Sequence, residues 1–96
     1  MKDNELIQEA LKQWGKETQL DMVIEECAEL IQAIQKYRRG LGQAGTPMAD
    51  VIEEGVDVEL CLEQLKVITA EPVLWNHYRT LKLNRLARKL GVSHEG

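Results

Sequence analysis

Apolar residues recur at helical spacing through almost the whole of this chain, and no stretch alternates apolar and polar residues as a half-buried β-strand does. The chain has only two prolines, both at positions where a helix can begin. Thr46 is the expected N-cap of a third helix, and Gly15 and Gly91 are the expected stops of the first and last helices. The pattern predicts an all-α fold with helices over residues 4–14, 18–39, 47–69 and 74–90.

Chain length favours a single domain that is completed by a second copy of itself. The 96 residues, 1–96, show no linker or low-complexity segment and suffice for one small core. The third helix is apolar around most of its circumference, which is more apolar surface than four short helices can cover. We therefore expect a homo-oligomer, at least a dimer.

Charge and hydropathy exclude several classes of partner. The formal net charge of −4 argues against binding to nucleic acid, which requires a dominant basic surface. No apolar run approaches the roughly 20 residues that span a bilayer, and the first ten residues lack the apolar core of a secretory signal. A cytoplasmic protein without a membrane or nucleic-acid partner is expected. Cys27 and Cys61 stand at apolar helical positions and are predicted to be core thiols.

Two segments place carboxylates among strongly apolar residues: VIEECAELIQAI, residues 23–34, and VIEEGVDVELCL, residues 51–62. Glu26 and Glu29 are three residues apart, as are Glu54 and Asp57, so each pair projects from one face of its helix. On the third helix, Glu54 falls within the apolar arc and Asp57 lies at its edge; the arc comprises Val51, Val58, Cys61, Leu62, Leu65 and Ile68. On the second helix, both glutamates fall outside the predicted packing stripe of Leu20, Ile24, Cys27, Ile31 and Ile34, with Val23 and Leu30 beside it.

Burial of an unpaired carboxylate costs several kcal/mol, so a glutamate within an apolar arc needs a proton or a cation. If the second and third helices pack antiparallel, the two pairs converge into an all-oxygen site that suits Mg²⁺, or alternatively Mn²⁺. The competing interpretation of such pairs is a solvated helix face. Gly55 costs about 1 kcal/mol in a helix interior and indicates close approach of a ligand or of another helix.

EECAE, residues 25–29, followed after a loop by EEGVD, residues 53–57, resembles the EExxE and ExxD signature of the all-α nucleoside triphosphate pyrophosphohydrolases, the MazG-like family. The resemblance extends through QWGKETQLDMVIEECAELIQAIQKYRRG, ADVIEEGVDVELCLEQL and LKLNRLARKL. It implies a four-helix MazG-like bundle, assembled as a homodimer or dimer of dimers. It also implies an Mg²⁺-dependent enzyme that hydrolyses a nucleoside triphosphate to the monophosphate and pyrophosphate, in nucleotide-pool control or house-cleaning. Gly55-Val56 and the glycine-rich loop depart from the family pattern.

Carried onto this chain, the resemblance makes Glu26, Glu29, Glu54 and Asp57 the metal ligands. Glu25 completes the motif and holds water or a second metal, or else is solvated. Lys36, two helical turns beyond Glu29 on nearly the same face, is the first candidate for a phosphate contact. Lys82 and Arg85 on the last helix are further candidates for substrate binding, with a surface role as the alternative.

Two other functions fit the same residues. One is the related phosphoribosyl-ATP pyrophosphohydrolase activity. The other is a non-catalytic helical dimer whose acidic cleft binds a protein. All four ligand positions are acidic, which favours the enzyme.

Overall fold

The computed structural model describes residues 1–40 and 47–95, and four α-helices contain most of them. They are α1 (Asp3–Trp14), α2 (Lys16–Arg39), α3 (Pro47–Thr69) and α4 (Pro72–Leu90). No residue in the two described ranges belongs to a strand, so the predicted all-α class is confirmed. α2 and α4 begin at Lys16 and Pro72 rather than at residues 18 and 74; a proline is tolerated in a first turn because its missing N–H has no helical partner there. The predicted N-cap Thr46 lies outside the described residues.

Glycines end α1 and α4, as the sequence predicts. Gly15 alone separates α1 from α2, with a φ of +86°, and its N–H donates to the Leu11 carbonyl at 2.9 Å. Gly91 adopts the left-handed conformation, and its N–H bonds to carbonyls of the last turn of α4. Ala70 takes a φ of +50° after α3, a conformation uncommon outside glycine, and the chain turns there into α4.

α2 and α3 form the main helix pair, and they run antiparallel. The register follows from the residues that meet across the pair: Glu29 lies beside Glu54, and Glu26 interacts with Asp57. α1 packs across both helices. The buried residues of the described chain are small or polar: Ala33, Cys61, Ala87, Gln19 and Gln64. No large side chain in the described chain is fully buried, so one copy has only a thin core.

The predicted packing stripe of α2 is wrong in part. Ile24, Ile31 and Ile34 are 68%, 58% and 40% exposed. The buried or half-buried residues of α2 include Leu20 and Cys27 of the predicted stripe, but the others are Gln19, Val23, Glu26, Leu30 and Ala33. A helical wheel identifies apolar surface but not which neighbour covers it, and this chain covers only one side of α2. The arc predicted on α3 is buried or half-buried, except that Leu62 is 38% exposed.

α4 stands apart from the other three helices. Its junction with α3 is fixed by Trp75, whose Nε1 donates to Thr69 Oγ1 at 2.8 Å, while Lys66 Nζ lies 5.3 Å from the indole centroid. Beyond that corner α4 does not pack against the α1–α3 unit as those helices pack together. The radius of gyration is 16.7 Å, whereas a compact chain of this length has about 12.5 Å. One copy therefore does not close a four-helix bundle.

Among the described residues, no helix is both long enough and apolar enough to cross a bilayer.

Candidate metal centre

Three carboxylates meet where α2 and α3 cross. Glu26, Glu29 and Glu54 each offer an oxygen atom, and these atoms lie within 4.8 Å of one another. Glu26 and Glu54 are half-buried, while Glu29 is exposed at the mouth of the cluster. The structure thus brings together three of the four predicted metal ligands, from two helices, as the i, i+3 spacing and the antiparallel packing require.

The cluster is electrostatically incomplete. Oε2 of Glu26 and Oε2 of Glu54 are buried and have no hydrogen-bond partner among the described residues. Burial, followed by the Glu29 and Asp57 charges, raises the pKa of Glu26 to about 7. Burial and the neighbouring Glu29 likewise raise the pKa of Glu54. Oxygens in this state need a proton or a cation, and a divalent ion can be shared by several of them. The donor set is all oxygen, which fits Mg²⁺ or Mn²⁺.

Asp57 lies beside the cluster but is not one of the three carboxylates whose oxygen atoms lie within 4.8 Å of one another. It is half-buried one turn after Glu54, and its charge contributes to the raised pKa values of both Glu26 and Glu54. Its predicted role as a fourth ligand is compatible with this position. Glu25 is exposed, and a helical rotation of about 100° separates it from Glu26. The structure does not bring Glu25 into the cluster, which favours the solvated alternative for this residue.

An open groove of about 400 Å³ runs along the α2/α3 pair from the cluster towards the end of α2. Lys36 lines it together with Glu29 and Glu54, so the predicted phosphate contact lies in the same groove as the carboxylates. Three further polar residues line this groove and were missed by the sequence analysis: Gln32, Asp50 and Glu53. Spacing offered a signal for two of them, because Gln32 is three residues after Glu29 and Asp50 four residues before Glu54.

Lys82 and Arg85 are not part of this site in a single chain. Both are exposed on α4, which is not packed against α2. Lys82 lines a different groove of about 800 Å³, mostly apolar, with Trp75, Tyr78 and Leu86. Any contact of Lys82 or Arg85 with a substrate in the acidic groove requires a second copy of the chain, and their predicted role stays a prediction.

The two cysteines are free thiols beside the acidic cluster. Cys61 is buried and Cys27 half-buried, in keeping with the predicted core positions. Burial is the largest cause that raises the pKa of Cys61, and the Glu26 charge adds to it. Burial therefore favours the neutral thiol of Cys61 over the thiolate.

Comparison with protein-family models, with curated proteins and with solved structures found no match to this chain. The functional assignment therefore depends on the geometry of the cluster and on the sequence motifs.

Proposed function

We propose that this protein hydrolyses a nucleoside triphosphate to the nucleoside monophosphate and pyrophosphate in an Mg²⁺-dependent reaction. One observation carries the proposal: two helices bring three carboxylates together, and two of their oxygens, on the half-buried Glu26 and Glu54, are buried without a hydrogen-bond partner in the described part of the chain. A solvated helix face does not have this property. The type of reaction comes from the EExxE and ExxD motifs, whose acidic positions supply these carboxylates.

The carboxylates of Glu26, Glu29, Glu54 and Asp57 would hold the ion. Bound there, Mg²⁺, or Mn²⁺ in its place, supplies positive charge to the triphosphate and activation of a water molecule. Since Glu29 is exposed at the mouth of the cluster, the substrate approaches from that side.

Lys36 would contact the phosphates of the substrate and would not bind the metal. It lines the groove beyond Glu29, where its ammonium group would balance charge on the phosphates. A water oxygen bonds to the α-phosphorus while the bond from that phosphorus to the bridging oxygen breaks, and pyrophosphate leaves. A carboxylate of the cluster takes up the proton of the water.

A homo-oligomeric assembly, at least a dimer, is part of the proposal. The extended shape of one chain, the thin core and the exposed apolar residues of α2 support it. A MazG-like bundle would then be completed between copies, and nucleoside triphosphates make the cytoplasm the proposed location.

The products of the reaction test the assignment. Incubation with a nucleoside triphosphate and Mg²⁺ should give monophosphate and pyrophosphate, resolved by ion-exchange chromatography. Diphosphate with orthophosphate would contradict attack at the α-phosphorus. Phosphoribosyl-ATP belongs in the same assay, since its exclusive hydrolysis would favour the related activity, and hydrolysis of no substrate would favour a non-catalytic module.

A further inference from the structure

Gln19 of α2 and Gln64 of α3 are the two buried polar residues of the described chain. Gln19 is 6% exposed and Gln64 is 9% exposed, whereas most residues of both helices are half-buried or exposed. Glutamine side chains are mostly exposed in folded proteins. The burial of one glutamine on each of two neighbouring helices is therefore unusual.

The register of the α2/α3 pair places these two glutamines opposite each other. Glu26 and Asp57 interact across the pair. Gln19 precedes Glu26 by seven residues, and Gln64 follows Asp57 by seven residues. Seven residues make nearly two turns, so each glutamine returns to the helix face of its carboxylate, about 10 Å further along the axis. Because the helices run antiparallel, both glutamines reach the same level, and we call them the Gln19–Gln64 layer.

Stability does not account for glutamine in this layer. Oε1 of Gln64 is buried and has no hydrogen-bond partner in the described part of the chain. α1 covers this end of the pair, where Ile7 lines a groove with Glu63 and Val67, on either side of Gln64 in the sequence. A buried polar group without a hydrogen bond is unfavourable. An apolar side chain of the same size would avoid this cost.

The other residues of the α2/α3 interface do not fix its register. Between the layer and the carboxylates lie Val23, which is half-buried, and Cys61, which is buried. Apolar side chains such as these can also pack after a shift of one turn. The carboxylates repel one another, so they do not favour their own alignment. A buried polar residue, by contrast, fixes the register of paired helices at a cost in stability, because a shift places it against apolar neighbours.

We propose that the Gln19–Gln64 layer positions the metal centre by holding α2 and α3 in the register that brings the acidic cluster together. A shift of one turn, about 5.4 Å, would move the carboxylates of the two helices too far apart to share one ion. Both glutamines act through the carboxylates and contact neither metal nor substrate, so they are positioning residues. The effect on metal binding rests on the proposed function, whereas the register is measurable without metal.

Spin-label distances measure the register directly. In a chain with Cys27→Ala and Cys61→Ala, nitroxide labels at Gln35→Cys and Glu59→Cys occupy exposed positions on α2 and α3. The labelled positions are offset along the helix axes, so a shift of one helix against the other changes their separation. Double electron–electron resonance, on labelled protein diluted with unlabelled protein in EDTA, should give one narrow distance while the layer is intact.

Gln19→Met combined with Gln64→Met removes the layer with little change in side-chain shape. The distance distribution should broaden or gain a second distance about 5 Å away, while the melting temperature in EDTA should not fall. Gln64→Asn retains an amide and should keep one narrow distance. An unchanged narrow distance in the double Met variant, even with a lower melting temperature, would make the layer purely structural and overturn the proposal. If the double variant fails to fold, Gln64→Met alone must meet the same criterion.

Magnesium affinity tests the consequence for the metal centre. Isothermal titration calorimetry should show Mg²⁺ binding weakened by about 10-fold or more in the double Met variant. Gln35→Leu, which makes a similar change on the exposed side of α2, should bind Mg²⁺ as wild type does. Wild-type Mg²⁺ affinity in a double Met variant with an altered register would refute the positioning role. Wild type that binds no Mg²⁺ would instead refute the proposed metal centre, and the distances would still decide whether the layer fixes the register.

Discussion

Glu26 on α2 and Glu54 on α3 bring carboxylate oxygens within 4.8 Å of each other, and each also has a buried Oε2 atom without a hydrogen-bond partner in the described chain. Their negative charges repel, and burial disfavours both charged forms. The pair is therefore stable only with a proton or a cation between the two helices. This requirement links the stability of the α2/α3 pair to metal and to pH.

Metal binding should stabilise the folded chain. Because the cluster exists only when α2 and α3 are packed, millimolar Mg²⁺ should raise the melting temperature by several degrees, as binding to the folded state alone requires. Glu54→Gln should melt no lower than wild type without metal, since it removes a repelling charge, and should lose the Mg²⁺ increment. Glu63→Gln, on the exposed side of α3, should keep it. Differential scanning calorimetry with and without Mg²⁺ distinguishes these results, and an unchanged wild-type melting temperature with both Mg²⁺ and Mn²⁺ would exclude a metal site.

The raised pKa of Glu26 predicts a pH dependence of the metal-free protein. The pKa rises from 4.5 to about 7 on folding, so the folded chain holds this proton more tightly than the unfolded chain does. The resulting stabilisation is fully present below pH 4.5 and is lost as the pH rises through about 7. Urea unfolding in EDTA should therefore give a lower free energy of unfolding at pH 8 than at pH about 5.

Glu26→Gln supplies the control for that titration. The variant cannot lose the proton, so its free energy of unfolding should fall less over the same pH interval. Added Mg²⁺ should reverse the trend in wild type, because the metal binds the deprotonated carboxylates and its affinity increases with pH. Equal pH profiles for wild type and Glu26→Gln would contradict the assignment of this titration to Glu26.

The acidic cluster was predictable from sequence because its geometry is local. Spacing of three residues fixes which carboxylates share a helix face, and Glu54 within an apolar arc marks the face that is buried. Antiparallel packing of two long helices that lie close together in the sequence then brings Glu26, Glu29 and Glu54 together. Glu25 shows the limit of a motif. It belongs to EExxE, but a helical rotation of about 100° separates it from Glu26, and its side chain is exposed outside the cluster.

Packing between helices was less predictable. The wheel of α2 placed Ile24 and Ile31 in the intramolecular core, and the structure leaves them exposed. Apolar periodicity identifies every apolar face of a helix, whether that face is buried by the same chain or by another chain. The separation of α4 has the same origin: its direction is set by the Ala70 turn and the Trp75–Thr69 hydrogen bond, which depend on tertiary geometry.

Lys36 should affect substrate binding more than chemistry. It lines the groove beside Glu29 but contributes no metal ligand, so Lys36→Ala should raise KM by about 10-fold while kcat changes less. Mg²⁺-dependent stabilisation should be unchanged in this variant, which separates a phosphate contact from a metal ligand. Steady-state kinetics of pyrophosphate release measures both constants. A fall in kcat with KM unchanged would place Lys36 in transition-state stabilisation instead.

Lys82 and Arg85 provide a related comparison. Both lie on α4, outside the groove of their own chain, so a binding role requires contact with the groove of another copy. Lys82→Ala with Arg85→Ala should raise KM if that contact exists, and Lys89→Ala, also exposed on α4, should not. An unchanged KM in the double variant would assign the two residues to the surface of α4.

Mg²⁺-dependent pyrophosphate release, measured over the common ribo- and deoxyribonucleoside triphosphates, decides whether the acidic cluster is the site of a hydrolase. Wild type should release pyrophosphate from at least one of them, and Glu26→Gln, Glu29→Gln, Glu54→Gln and Asp57→Asn should each lose about 100-fold or more of that activity while keeping their helical circular dichroism. Glu59→Gln and Glu63→Gln, exposed on α3, should retain it. Full activity in the Glu54 or Asp57 variant, or no release from any nucleotide by wild type, would show that the cluster does not catalyse this reaction.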